Sequence, residues 1–264
     1  MILYPTIDPV ALDLGFAQIH WYGLTYLLAF LSAWAVGNYR AKQPNSGWTK
    51  DQVSDVLFYG ALGVILGGRI GYIFFYNFDK FIENPVIIFR IWEGGMSFHG
   101  GMLGVFLGLY LFGRKTGRTF FQVSDFIAVM VPLGLGFGRI GNFINKELWG
   151  RPVDSALPWA IDYGDKIARH PSSLYQALTE GVILFLILFI YSRKPRPIMA
   201  VSGVFMISYG MLRFITEFFR TPDAHLGFVM FDWMSKGQQL SIPMVIFGLT
   251  ILIMSYKKQS NLSS

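Results

Sequence analysis

Four polar side chains, Arg139, Asn142, Asn145 and Glu147, lie within nine residues at the end of a segment that is otherwise apolar. An ionised group in hydrocarbon requires a partner, a water-filled cavity or an anionic ligand. The planar guanidinium of arginine presents paired donors that match the oxygens of a phosphate or a carboxylate. We therefore predict that this segment lines a pocket for an anionic headgroup inside the bilayer.

A second polar group lies in a later apolar segment. Tyr209, Arg213 and Glu217 are spaced by four residues and share one face of a predicted helix. Because buried charges usually pair, an ion pair between Arg213 and Glu217 that only stabilises the helices explains part of the pattern equally well. Arg139 and Asn142, three residues apart, also share a face, and the structural alternative for them is a hydrogen-bond clamp between helices.

His99 follows Ser97 at the start of another apolar segment. A histidine can act as a base near neutral pH, although a structural role is as frequent for a lone histidine. Ser97 would be the nucleophile of a hydrolase, but no Gly-x-Ser-x-Gly elbow surrounds it. The four histidines, His20, His99, His170 and His225, lack the spacing of metal ligands, so we predict no metal site. Since a proline follows His170, that position indicates a helix start instead.

The composition is that of a membrane protein. Of the 264 residues, 53% are hydrophobic and 14% are charged, and the mean hydropathy is +0.45. Three charge-free stretches and four that charge interrupts are each long enough to cross a bilayer. They predict spans at about residues 16–38, 54–76, 96–113, 123–143, 173–192, 200–219 and 239–256. We expect an all-α integral membrane protein, a polytopic bundle of seven transmembrane helices in a single domain, 1–264, with small external loop and helix elements.

The distribution of Lys and Arg predicts the orientation. Alternate loops carry eleven of these residues in dense clusters, whereas the opposite loops carry eight over longer stretches that also contain many carboxylates. The dense clusters are expected in the cytoplasm, which places the C-terminus inside and, with seven spans, the N-terminus outside. This bias accounts for most of the net charge of +6, so nothing indicates a nucleic-acid partner.

Three further features bound the interpretation. No cleavable signal peptide is visible, because residues 1–15 lack a basic start. The chain has no cysteine, which excludes disulfides and a thiolate nucleophile of its own. Residues 259–264 read as a short disordered tail.

Glycines recur every four residues in three spans and predict close helix contacts. They are Gly63, Gly67 and Gly71; Gly100, Gly104 and Gly108; and Gly134 and Gly138. Between the spans, the apolar and aromatic residues 77–93 indicate an amphipathic piece at the outer interface, and residues 144–172 and 221–240 a small external cap.

The predicted topology brings the unusual polar groups toward one side of the membrane. Residues on separate spans converge on the outer leaflet: His20, Tyr22, Arg69, His99, Arg139, Asn142, Tyr209, Arg213 and Glu217. For Arg69 a simple pairing with a loop carboxylate is the stronger alternative. Convergence of groups from several helices favours a functional site more than any single residue does.

The segment from Gly138 to Gly150 resembles the signature of the bacterial phosphatidylglycerol–prolipoprotein diacylglyceryl transferases, Gly-Arg-x-Gly-Asn-Phe-x-Asn-x-Glu-x-x-Gly. Further blocks similar to this family begin at His20, Gly67, Ser97, His170 and Arg213, so the resemblance covers nearly the whole chain. One departure is that the external loop between Gly150 and His170 looks short for the family.

The resemblance implies an activity. The family moves an sn-1,2-diacylglyceryl group from phosphatidylglycerol to the lipobox cysteine of a prolipoprotein signal peptide, forming a thioether and releasing glycerol phosphate, without a metal or organic cofactor. This would be the first step of lipoprotein maturation, in the bacterial cytoplasmic membrane, with the active site facing the outer leaflet. The implied partners are phosphatidylglycerol, prolipoprotein signal peptides and membrane lipid.

The resemblance also implies residue roles. The catalytic residues would be His99, Tyr209 and Arg213, and the phospholipid-binding residues Tyr22, Arg69, Arg139, Asn142, Glu147, Gly150 and Glu217. Arg139 and Arg213 would bind the phosphate and stabilise charge on the leaving group. Either His99 or Tyr209 would help to deprotonate the thiol, and the sequence does not decide between them.

Two other classes remain open. A transporter of an anionic solute would place arginines in the membrane, but it should show matching halves with broken helices, and no such halves are visible. An intramembrane hydrolase would need a nucleophile and a base, for which Ser97 and His99 are the candidates.

The predicted orientation can be tested with single cysteines, since the chain has none of its own. Ser46→Cys, Thr116→Cys and Lys258→Cys should resist an impermeant thiol reagent in intact cells, whereas Asn84→Cys and Asp162→Cys should react. The positive-inside rule gives this expectation. Labelling in the reverse pattern would overturn both the orientation and the outer-leaflet site.

Overall fold

The computed structural model describes residues 1–222 and 226–263, so His225 and Ser264 lie outside the described residues. The chain is mostly helical. The helices are α1 Trp21–Ala41, α2 Lys50–Tyr76, α3 Phe78–Glu83, α4 Phe98–Thr116, α5 Phe120–Ile127, α6 Val131–Ile144, α7 Ser172–Gln176, α8 Leu184–Tyr191, α9 Ala200–Thr216 and α10 Lys236–Ser263. A π-helical turn, Ala177–Ile183, joins α7 to α8, and 3-10 turns cover Pro85–Phe89, Ile91–Glu93 and Glu217–Phe219.

The described helices fit a membrane protein. Three stretches are long and apolar enough to cross a bilayer, Lys50–Tyr76, Ser172–Tyr191 and Lys236–Asn261. The pair α5 and α6 makes a fourth if the two helices, bent by 53° at a short break, form one span. Pro132 near the start of α6 fits this break, because proline is favoured in the first turn of a helix, where its missing N–H would have no helical partner.

The chain forms two compact units, Met1–Val36 with Asp125–Ser264, and Gly37–Ser124. We call them the large unit and the small unit. Each unit has its own internal packing.

The small unit is built on the contact between α2 and α4. The glycines of the two helices oppose each other, so that a Cβ on Gly67 would lie 2.8 Å from the Cα of Gly104, and one on Gly71 would lie 2.8 Å from the Cα of Gly100. Real Cβ atoms do not approach backbone so closely. The predicted glycine stripes of these two spans are therefore confirmed as a close helix–helix contact.

In the large unit the predicted stripe forms only in part. A Cβ on Gly134 would lie 3.4 Å from the Cβ of Ala29 on α1, whereas one on Gly138 would have no atom of the described residues within 4 Å. A closer approach to backbone falls at Gly136, where a Cβ would lie 3.1 Å from the Cα of Gly181. The prediction of a helix contact therefore holds for Gly134 and was wrong for Gly138, because spacing alone cannot tell which face of a glycine-rich helix meets a neighbour.

The beginning of α9 is fixed by a carboxylate from another helix. Asp125 of α5 accepts hydrogen bonds from the backbone N–H of Met199 at 2.7 Å and of Ser202 at 2.8 Å. These are donors that the first turn of a helix leaves without an internal partner. An apolar core that includes Val129, Leu184 and Val201 packs beside the first turn of α9. The N-terminal end of α9 is thus held in place.

Short strands, which the sequence analysis did not predict, lie outside the long helices. They are β1 Ile2–Leu3, paired in parallel with β4 Ile161–Asp162; β2 Val10–Asp13, antiparallel to β3 Gln18–His20; and β5 Phe228–Met230, antiparallel to β6 Met234–Ser235. The first span was predicted from residue 16, but the hairpin of β2 and β3 takes residues 10–20 and α1 begins at Trp21. His20 consequently lies at the end of a strand.

The predicted C-terminal tail is also corrected. Residues 259–263 continue α10 as helix. Their polar side chains indicated disorder, but a helix can extend past its apolar span because its backbone hydrogen bonds are internal.

An aromatic stack joins the N-terminal segment to the cap of the large unit. Tyr4 stacks on Tyr163, which stacks on Trp149. The Tyr4 hydroxyl lies within donating distance of the carbonyls of Phe143 at 3.0 Å and Ile144 at 2.9 Å, at the C-terminus of α6. Burial raises the pKa of Tyr163 to about 12, so this ring is a neutral packing element at physiological pH.

Candidate functional site

Three helical elements of the large unit bring two arginines onto one carboxylate. Arg139 of α6 donates through both Nε and Nη2 to Glu180 Oε2, at 3.1 and 3.0 Å. Arg213 of α9 donates through Nη1 to Glu180 Oε1 at 3.1 Å. The Glu180 side chain is fully buried, whereas those of Arg139 and Arg213 are 18% and 13% exposed. The carboxylate is thus a shared internal counter-ion, and the arginines form the accessible edge of the cluster.

The local fold that places Glu180 is the π-helical turn Ala177–Ile183. A π turn widens the helix by one residue and changes the direction of the side chains it carries, and such turns are frequent at functional sites. Gly181, the next residue, packs on Gly136 of α6. Because two glycines meet here, the helix backbones approach closely enough for Arg139, one turn after Gly136, to reach the carboxylate.

The ionic cluster extends beyond Arg213 toward the cap. Arg213 Nη2 lies 2.6 Å from Glu217 Oε1, and the same oxygen accepts from Arg220 Nη1 at 3.1 Å. The other oxygen, Glu217 Oε2, accepts from the Ser235 hydroxyl at 2.6 Å. Gly237 leaves room for this carboxylate, since a Cβ there would lie 2.7 Å from Glu217 Cδ. The pairing of Arg213 with Glu217 that the sequence suggested is therefore present, as one link of a longer chain.

Positive and negative side chains alternate along this series of ion pairs. We call the series the ionic chain, and its members are Arg139, Glu180, Arg213, Glu217 and Arg220. Buried charges of both signs can coexist only when each has a partner. Three guanidinium groups and two carboxylates leave a net charge of +1. An anionic group that arrives at the accessible edge would meet an uncompensated positive charge in a setting of low dielectric, where such attraction is strong.

Tyr209 lies one turn before Arg213 on α9. Its hydroxyl neighbours Arg139, Glu180 and Arg213, and its ring stacks on Phe205 with centroids 5.9 Å apart. The phenol is therefore a further member of the site, with its oxygen next to both arginines.

A second polar group, formed by Tyr22, Asn142 and Glu147, lies at the C-terminal end of α6. Asn142 Nδ2 donates to Glu147 Oε2 at 2.7 Å, and the hydroxyl of Tyr22 on α1 neighbours both side chains. Asn142 and Arg139 lie one turn apart on α6. We call this group the amide–carboxylate group. It continues the polar lining on the helix that carries Arg139.

The turn that carries Glu147 is strained and held by side chains. Lys146 and Leu148 both have φ near +55°, a left-handed conformation that costs a non-glycine residue about 1 kcal/mol or more. The Ser172 hydroxyl donates to the Leu148 carbonyl at 2.7 Å, and the Ser173 hydroxyl donates to that of Glu147 at 3.4 Å. The start of α7 thus stabilises the turn that directs the Glu147 carboxylate toward Asn142.

Gly150 is a packing position. It pairs with Arg220 in an isolated antiparallel bridge, and a Cβ on Gly150 would collide with the carbonyl of His170. The residues on either side continue the pairing, since Arg151 N–H donates to Phe219 O at 2.9 Å and Thr221 N–H to Trp149 O at 3.0 Å. Gly150 therefore joins the turn of Glu147 to the end of the ionic chain, and this explains why no side chain fits.

The guanidinium of Arg69, in the small unit, donates hydrogen bonds to backbone carbonyl groups. These are the carbonyls of Ile87, Ile88, Gly94 and Gly95, and the side chain of Arg69 is buried. The alternative considered from the sequence was a loop carboxylate, and carbonyl groups take that place. Arg69 consequently shapes the segment between α3 and α4, and its role in phospholipid binding stays a prediction.

His99 and Ser97 lie at the start of α4, also in the small unit. His99 is exposed at the second position of the helix and contacts the ring of Phe98. Ser97 is buried and is the N-cap, with its hydroxyl accepting from Gly100 N–H at 3.2 Å. This capping role gives Ser97 a structural explanation, while the exposed imidazole of His99 stays free to meet a substrate.

His170 has a structural setting in the cap. Its Nδ1 lies 3.2 Å from the Tyr175 hydroxyl, and its ring packs edge-on against Phe219. Burial lowers the pKa of His170, so the imidazole is neutral at physiological pH. The helix start that the sequence indicated after this histidine is confirmed, with α7 beginning at Ser172.

Sequence pattern alone did not identify the residues that connect the site. Glu180 was seen only as a charge that interrupts an apolar span, and Arg220 and Ser235 were not considered. A lone carboxylate in about 20 apolar residues was itself a usable signal, because such a group needs a cationic partner from another span.

Comparison with known proteins adds to this geometry. The profile of the prolipoprotein diacylglyceryl transferase family matches residues 9–254. The chain belongs to this family. It is 57% identical, over 263 residues, to the phosphatidylglycerol–prolipoprotein diacylglyceryl transferase of Acinetobacter baumannii strain ACICU, which covers 98% of this chain and 96% of the relative.

Other relatives carry the same name. The protein of Photobacterium profundum is 57% identical over 260 residues, 98% of this chain and 97% of the relative, and that of Acinetobacter baylyi is 55% identical over 263 residues, 98% and 96%. The ionic chain and the amide–carboxylate group both lie inside the range that the family profile matches. Membership of this transferase family thus applies to the part of the chain that builds the site.

The ionic chain predicts a stability difference between two carboxylate neutralisations. Glu180→Gln should destabilise the protein by about 3–5 kcal/mol, since two partly buried arginines lose their shared counter-ion. Asp55→Asn is the control, because Asp55 pairs with Lys115 at 3.1 Å and both side chains are about half exposed, where such pairs contribute little. Thermal unfolding of both variants in detergent measures the difference. Equal melting temperatures would show that the shared carboxylate is not structurally important.

Proposed function

We propose that this chain is a phosphatidylglycerol–prolipoprotein diacylglyceryl transferase of the bacterial cytoplasmic membrane. The observation that carries the proposal is the pair of partly exposed arginines, Arg139 and Arg213, held on one buried carboxylate with a net positive charge. Such a pair suits the phosphate of an anionic lipid. The full-length similarity to relatives named for this activity supports it.

The reaction is a substitution without redox change. The sulfur of the lipobox cysteine forms a bond to C3 of the diacylglyceryl group, and the bond from that carbon to the phosphate oxygen breaks. The thiol proton goes to a base, and glycerol phosphate leaves with the electron pair of the broken bond. The nucleophile comes from the peptide, which agrees with a chain that has no cysteine of its own.

Arg139 and Arg213 have the central role in donor binding. Their guanidinium groups bind the phosphate and stabilise the charge that develops on it as the carbon–oxygen bond breaks. Glu217 orients Arg213, and Gly150 holds the neighbouring strands together. Tyr22, Asn142 and Glu147 supply hydroxyl, amide and carboxylate groups for the rest of the headgroup.

Two residues are candidates for the base. His99 is our choice, because an imidazole nitrogen can accept a proton from a thiol and the ring is exposed at the start of α4. Tyr209 is the rival. Its hydroxyl adjoins both arginines, but a phenol must first lose its own proton before it can act as a base. Arg69 supports the segment that precedes His99 through its bonds to the carbonyls of Gly94 and Gly95.

We also propose the membrane arrangement. Seven spans form a single domain with the N-terminus outside, the C-terminus in the cytoplasm and the active site facing the outer leaflet. The remaining spans are α1, α4 and α9, each of 17 to 21 residues, which is about the length needed to cross the hydrocarbon. The partners are phosphatidylglycerol, the signal peptides of prolipoproteins with a lipobox cysteine, and membrane lipid; no cofactor takes part in the proposed step.

The competing classes have less support. An intramembrane hydrolase needs Ser97 as a nucleophile, and this hydroxyl is buried and caps α4. A transporter of an anionic solute should be built from matching halves with broken helices, and the sequence shows no such halves.

The experiment that tests the function uses labelled phosphatidylglycerol and a lipobox peptide with the purified protein. The transferase produces a lipidated peptide, a hydrolase releases the lipid products without the peptide, and a transporter produces neither. Absence of a lipidated peptide under conditions in which lipid binds would refute the proposal.

Replacement of the two arginines tests the phosphate site. Arg139→Gln and Arg213→Gln should each abolish transfer, and Arg139→Lys should restore little, because lysine lacks the fork that donates twice to Glu180 Oε2. Turnover with labelled phosphatidylglycerol is the measurement, with folding monitored in detergent. Near-normal transfer by both Gln variants would rule out the assigned roles.

The role of His99 predicts a separation of binding from turnover. His99→Gln should lose transfer but still bind phosphatidylglycerol, because the proposed base does not contact the phosphate. Arg139→Gln should lose binding, because Arg139 is one of the two proposed phosphate ligands. Lipid binding and turnover are measured separately for each variant. If His99→Gln turns over normally, or loses lipid binding as completely as the arginine variant, His99 is not the base.

A further inference from the structure

Beside the proposed donor site lies Gln176, a buried amide that has no hydrogen-bond partner among the described residues. Its side chain is fully buried, yet neither Nε2 nor Oε1 has a hydrogen-bond partner among the described residues. An amide in this situation is costly, and protein interiors seldom contain one. Gln176 therefore requires an explanation beyond packing.

Its place in the fold supplies one. Ser173, Gln176 and Glu180 are spaced by three and four residues along one helical stretch, and all three are fully buried. Residues with this spacing lie on one helix face. Ser173 donates to the turn of Glu147, and Glu180 holds Arg139 and Arg213. Gln176 consequently lies between the amide–carboxylate group and the arginines.

The chemistry of the amide limits the ligand. A primary amide presents donors on Nε2 and an acceptor on Oε1, whereas a phosphate oxygen only accepts. A phosphate would leave Oε1 unsatisfied, and the arginines already match the phosphate. A hydroxyl both donates and accepts, so an alcohol group next to the phosphate satisfies both ends of the amide.

We propose that Gln176 binds the free hydroxyl groups of the donor's headgroup glycerol and thereby selects phosphatidylglycerol among anionic phospholipids. This inference rests on the proposed function and adds the group that recognises the alcohol. A buried amide whose hydrogen-bond partner is a substrate hydroxyl discriminates strongly against analogues that lack the hydroxyl. Binding such an analogue leaves the amide buried and unpaired.

The test is a comparison of two donors in two proteins. Phosphatidylpropanol keeps the phosphate and the diacylglyceryl group but lacks both headgroup hydroxyls. We expect the wild type to use phosphatidylglycerol at least ~10-fold better in kcat/KM, and Gln176→Leu to bring this ratio to within about threefold. Gln176→Met, which matches the side chain in length, repeats the test if the leucine variant does not fold.

Gln238→Leu is the matched control. Gln238 is also a fully buried glutamine, but its amide is partnered, since Oε1 accepts from Ser235 N–H at 2.9 Å and Nε2 donates to Phe214 O at 3.4 Å. Its replacement should lower the melting temperature and leave the donor ratio near that of the wild type. Gln176→Leu should instead keep or raise the melting temperature, because it removes an unpaired buried amide.

The outcomes separate the two proposals. No transfer from phosphatidylglycerol by the wild type would refute the proposed function itself. Transfer with a donor ratio that Gln176→Leu leaves unchanged, or with no preference in the wild type, would overturn only the role of Gln176. A ratio that falls equally in Gln176→Leu and Gln238→Leu would also overturn it, because the effect would then be structural.

Discussion

The carboxylate of Glu180, shared by Arg139 and Arg213, is the interaction on which the large unit depends. In a low-dielectric interior none of the three ionised groups is tolerated alone. The three come from different helical elements, so the pairing fixes the mutual position of α6, the π turn and α9. The glycine contact between Gly136 and Gly181 makes the approach sterically feasible. The ion pairs of Glu180 therefore depend on the close glycine contact between the two helices.

Ion pairs also connect α9 to the residues that follow it. Glu217 joins Arg213 to Arg220 and Ser235. The backbone around Arg220 pairs with the backbone around Gly150, and the residues before Gly150 form the strained turn of Glu147. A displacement of α9 would thus reach the turn that directs Glu147 toward Asn142. The two polar groups of the site are mechanically coupled through the cap.

The sequence predicted those features that depend on local pattern. Apolar stretches located the long helices, the glycines of α2 and α4 were correctly expected to make close helix contacts, and the polar residues of α6 and α9 were recognised as exceptional. Family membership followed from motifs spread over nearly the whole chain.

What the sequence could not predict depends on contacts between distant residues. Glu180 lies 41 residues from Arg139 and 33 from Arg213, and no periodicity reports such a pairing. The π turn adds one residue to a helix without a compositional signal. For Arg69 the alternative to phospholipid binding was a loop carboxylate, but its guanidinium donates to carbonyls 18 to 26 residues away, which any residue type can supply. The first helix was predicted from residue 16 because the sequence there is apolar. In the structure β2 and β3 pair as a hairpin over residues 10–20, and α1 begins only at Trp21.

The alternation of charge also has a consequence for catalysis. Two guanidinium groups aimed at one anion repel each other, so an enzyme without Glu180 would have to use part of the lipid's binding energy to bring them together. The internal carboxylate holds the two guanidinium groups close together in the structure. Under the proposed function, the net charge of +1 along the ionic chain then remains available for the phosphate. Charge on the phosphate oxygen would increase as the carbon–oxygen bond breaks, so donors fixed in advance would stabilise the transition state more than the bound lipid. In that mechanism, the carboxylate shared by the two arginines is also what allows them to act together on the phosphate.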